Sequence, residues 1–63
     1  MKMEIWCGKS RKKELIEYLS KDYPEAKIEK MLDDERNIIG YFAIVIDDSP
    51  FPALQAGFSV TPK

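Results

Sequence analysis

The chain has 63 residues and a formal net charge of −1, from ten basic and eleven acidic side chains, so it lacks the basic excess of a nucleic-acid binder. One cysteine, Cys7, and no histidine exclude an internal disulfide and argue against a structural zinc site. A chain this short buries only roughly 60% of its unfolded surface, so stability has to come from self-association or an unusually good core.

A hydrophobic content of 44%, with seven aromatic side chains among it, points to a folded domain, not a disordered tail. The N-terminus reads MKMEIWCGKSRKK and offers no apolar leader segment. No stretch reaches the roughly 20 apolar residues of a membrane span. The expectation is a reduced, cytoplasmic setting with no membrane association.

Along the chain, Met1, Met3, Ile5 and Cys7 alternate with Lys2, Glu4 and Trp6, the period of a first strand. Ser10 is placed to cap a helix running to about Asp22, which Pro24 stops. Leu15, Tyr18, Leu19 and Tyr23, widened by Ile16, form its apolar stripe. A weaker alternation from Ala26 to Leu32 predicts a second strand, and Asp33–Asn37 a turn. Ile38–Ile46 is apolar throughout apart from Gly40 and the Tyr41 hydroxyl, the signature of a strand buried on both faces. Asp47–Pro52 is turn-rich, and the alternation of Leu54, Ala56, Phe58 and Val60 predicts a fourth strand with one buried face.

The expected fold is therefore α+β: a single small domain over residues 1–63, ordered β-α-β-β-β, with one helix on a mixed, mostly antiparallel sheet of about four strands. Strands 1 and 2 would be linked by a right-handed parallel crossover if they share a sheet, and strands 2–3 and 3–4 would form antiparallel hairpins. One helix covers one face. Trp6, opposite in phase to Ile5 and Cys7, would lie on the other, together with alternate residues of the third strand and part of the tail. An apolar face left open usually marks an interaction site.

Four groups of residues are candidates for chemistry. Trp6-Cys7-Gly8 followed by Ser10 sits at a strand-to-helix junction, where a helix dipole, Lys9 and Arg11 would favour a thiolate. This stretch resembles the W-C-G-x-C redox motif of the thioredoxin and glutaredoxin superfamily with its second cysteine replaced. Gly40-Tyr41-Phe42-Ala43-Ile44-Val45 is similar to a strand of its selenoprotein-W-like members. The resemblance implies a monothiol redox protein with Cys7 attacking and Ser10 hydrogen-bonding to it. The competing reading is that Cys7, in phase with Met3 and Ile5, is a small buried hydrophobe.

The second group is Lys9, Arg11, Lys12 and Lys13, which oppose the helix dipole and would hold an anion, a nucleic acid or a partner's acidic surface. Pairing with Glu14 and Glu17 explains much of that cluster without any ligand. A P-loop is excluded, because Met3 stands where its first glycine belongs. The third group, Asp33-Asp34-Glu35 and Asp47-Asp48, falls in two turns at opposite ends of the third strand, and no metal site is expected. The last is aromatic: Phe42 and Phe58 are expected in the core, whereas Trp6 and Tyr41 are contact candidates.

The sequence thus predicts a protein that acts by binding and not as an enzyme, in the manner of an inhibitor or adaptor. It would work through an uncovered sheet face or strand edge, with Trp6, Lys9, Arg11, Lys12, Lys13 and Tyr41 as partner-binding residues and no cofactor. The expected partner is another protein or a second copy in a homodimer. The alternatives are Cys7 redox chemistry, and anion or nucleic-acid binding through Lys9–Lys13.

Overall fold

The computed structural model describes residues 1–63. Strand β1 (Lys2–Gly8) leads through a 3-10 turn (Lys9–Arg11) into helix α1 (Lys12–Asp22). Strands β2 (Glu29–Leu32) and β3 (Ile38–Ile46), the short helix α2 (Phe51–Gln55) and strand β4 (Ser59–Pro62) complete the chain. The sheet has four strands in the order β2-β3-β1-β4, and every neighbouring pair is antiparallel. This is a single small α+β domain.

The core lies between α1 and one face of the sheet. Met3, Ile5 and Cys7 from β1 meet Val45 and Ala43 from β3, Leu15 and Leu19 from α1, Ala53 from α2, and Phe58. The alternation of β1 places those three residues inward, and the pairings Met3–Val45 and Ile5–Ala43 extend the same face across the sheet. Leu15 and Leu19 supply the helix side at one-turn spacing, with Tyr18 and Tyr23 partly buried beside them. Ile16 is 43% exposed and stands outside the stripe it was expected to widen.

Several local expectations are corrected. The sheet is antiparallel at every pairing and not mixed: β1 and β2 run parallel as expected, but β3 lies between them, so the crossover spans an intervening strand. The second strand is shorter than its alternation suggests, because Ala26 and Ile28 precede it and pack on the core from outside the ladder. Ser10 does not cap the helix: the 3-10 turn occupies its place, and α1 starts after Arg11 with no side-chain cap.

The largest correction is the tail. Phe51–Gln55 is helical, since Pro50 and Pro52 suit a helix's first turn and Ser49 Oγ accepts the Phe51 N–H at 3.1 Å. Gly57, at φ +90°, then reverses the chain, a conformation few other residues take. The emerging β4 pairs with β1 and not with β3, so no β3–β4 hairpin exists. Gly40 meets a separate demand, because a Cβ there would lie 2.3 Å from the Cys7 carbonyl oxygen.

Candidate interaction surface

The face of the sheet that α1 leaves uncovered is built from the alternate residues of each strand. Trp6 pairs with Phe42, Glu4 with Ile44 and Lys2 with Ile46 across β1 and β3. Glu29 and Met31 of β2 lie beside Phe42 and Gly40, while Ser59 and Thr61 of β4 lie beside Trp6 and Glu4. The result is an apolar patch of Trp6, Phe42, Ile44, Ile46 and Met31 with polar residues along its margins. Trp6, Phe42, Ile44 and Met31 are half-buried, and Ile46 is 78% exposed.

The register brings the two aromatics close. Asp47 N–H donates to the Met1 carbonyl at 2.9 Å, which makes the odd-numbered residues of β3 its hydrogen-bonded partners with β1. Trp6 and Phe42 therefore form a non-hydrogen-bonded pair, the kind with the shortest side-chain separation. Trp6 Nε1 donates to Thr61 Oγ1 at 3.1 Å, which fixes the indole across β1 and β4. Lys63 Nζ pairs with Glu4 Oε1 at 3.5 Å on the same face. An anchored indole with its ring flank open loses little rotamer freedom on contact, a property of binding hot spots.

The other expected contact residues lie elsewhere. Tyr41 is on the helix side of the sheet, opposite Cys7, with Lys12 Nζ 5.0 Å from its ring centroid. Arg11 is held: its guanidinium lies 4.7 Å from the Phe58 centroid, donates to the Gly57 carbonyl at 2.5 Å and pairs with Glu14 at 2.5 Å. Lys9 borders a shallow depression with Asp33, Arg36 and Tyr41, and Lys13 is exposed. Arg11 and Lys12 thus have separate partners, and Lys13 has none.

Phe42, expected in the core, belongs to the open face, whereas Phe58 is buried as expected. Ile44, Ile46 and Met31 complete the patch and carry no motif. The signal that finds them is parity: they fall in step with Trp6 once the β1–β3 register is known.

Cys7 is 5% exposed at the end of β1. Burial pushes its thiol above the ordinary value, and the nearby Arg11 charge and a backbone hydrogen bond from Tyr41 only partly offset that. It faces the core and not the Trp6 patch. Ser10 is exposed in the 3-10 turn.

The acidic turns hold themselves. Asp33 Oδ1 accepts the N–H groups of Glu35 and Asn37, and the bond from Asn37 is the main reason its carboxyl is held low. Asp47 accepts from the Tyr23 hydroxyl, the main cause of its own lowered value. No group of three or more histidine, cysteine or carboxylate side chains gathers into a metal-binding cluster.

No protein-family model matches the chain, and no curated protein or solved structure is significantly similar to it. No helix is long and apolar enough to cross a membrane.

Proposed function

We propose that this protein acts by binding another protein through the open sheet face, with Trp6 and Phe42 as the central anchors and Ile44, Ile46 and Met31 around them. The observation that supports it is the contiguity of these five side chains on a face that no part of the chain covers. A soluble domain rarely leaves such a patch open unless something occupies it. The margin carries Lys2 and Lys63 against Glu4 and Glu29, so steering by one sign of charge is weak and shape and apolar contact dominate. The free, buried thiol of Cys7 fits a reducing, cytoplasmic setting.

Anion or nucleic-acid binding has less support, because Arg11 and Lys12 are already engaged and the net charge is −1. Cys7 redox chemistry has no supporting observation beyond its motif, since the thiol is buried and its pKa raised.

The test is site-specific photo-crosslinking in the producing cells from position 42 or 44, with position 16 on the exposed flank of α1 as control. Protein adducts from 42 and 44 but not from 16 support the reading. Equal labelling from all three, or none from the sheet, overturns it.

A further inference from the structure

We draw no further inference here: the strongest candidate, the cavity of about 410 Å³ between the 23–26 segment and the edge of β3 at Ile44, Val45 and Ile46, is lined also by Lys2 and Glu25, and nothing in the structure shows what covers it.

Discussion

Along β3 the two faces of this sheet have nearly the same sequence character and opposite fates. On the α1 side Met3, Ile5, Cys7, Ala43 and Val45 are all at most 6% exposed. One residue along, on the same two strands, Trp6, Phe42 and Ile44 are half-buried and Ile46 is 78% exposed. Hydrophobicity alone therefore does not define the core of a chain this small. The core is wherever the single long helix lands, and the remaining apolar surface is left for contact.

The sharpest way to probe that division is to truncate a residue on the covered face. Ile5 is fully buried, and Ile5→Ala should cost roughly 2–5 kcal/mol, read as a fall in the urea midpoint, enough to unfold much of a marginal domain. Gly40→Ala should cost less, about 1–3 kcal/mol, because its Cβ meets rigid backbone at the Cys7 carbonyl. Thermal unfolding of that variant checks whether the β1–β3 approach is as tight as the register implies.

Smaller effects separate the cations. Arg11→Ala should lose about 1 kcal/mol, since the side chain joins the start of α1 to Phe58 and the Gly57 carbonyl. Lys13→Ala, with no partner in the fold, should leave the denaturant midpoint unchanged within error.

Acid reads the turns at the two ends of β3. Asp33 and Asp47 have lowered folded-state values, so each contributes stability above the ordinary aspartate pKa of about 4 that is lost as pH falls through the folded value. A pH series from about 6 to 2 should show wild type losing stability across that window. The Asp33→Asn and Asp47→Asn variants should give a flatter profile. Asp33 is solvent-exposed and Asp47 half-buried, so solvent screening keeps this effect small.

Much of this division is legible in the residues themselves. The alternation of Met3, Ile5 and Cys7 against Trp6 places the indole on the uncovered face before any pairing is known. The stretch Ile38–Ile46 gives no such help, because it is apolar at both parities. Whether Tyr41 or Phe42 joins Trp6 depends on a one-residue register that only the ladder with β1 decides. The tail misleads for another reason. Leu54, Ala56 and Phe58 alternate like a strand, yet prolines at 50 and 52 start a helical turn and Gly57 ends it. Likewise Arg11 reads as one of a surface run until the fold carries Phe58 beneath it.

The most direct measurement is urea unfolding of Val45→Ala and Ile46→Ala side by side. These are adjacent residues of β3, apolar and similar in size, on opposite faces. The account predicts that Val45→Ala costs about 1–3 kcal/mol and Ile46→Ala less than about 0.5 kcal/mol in the monomer. Equal losses from the two would contradict it, because the face assigned to contact would then be holding the fold together.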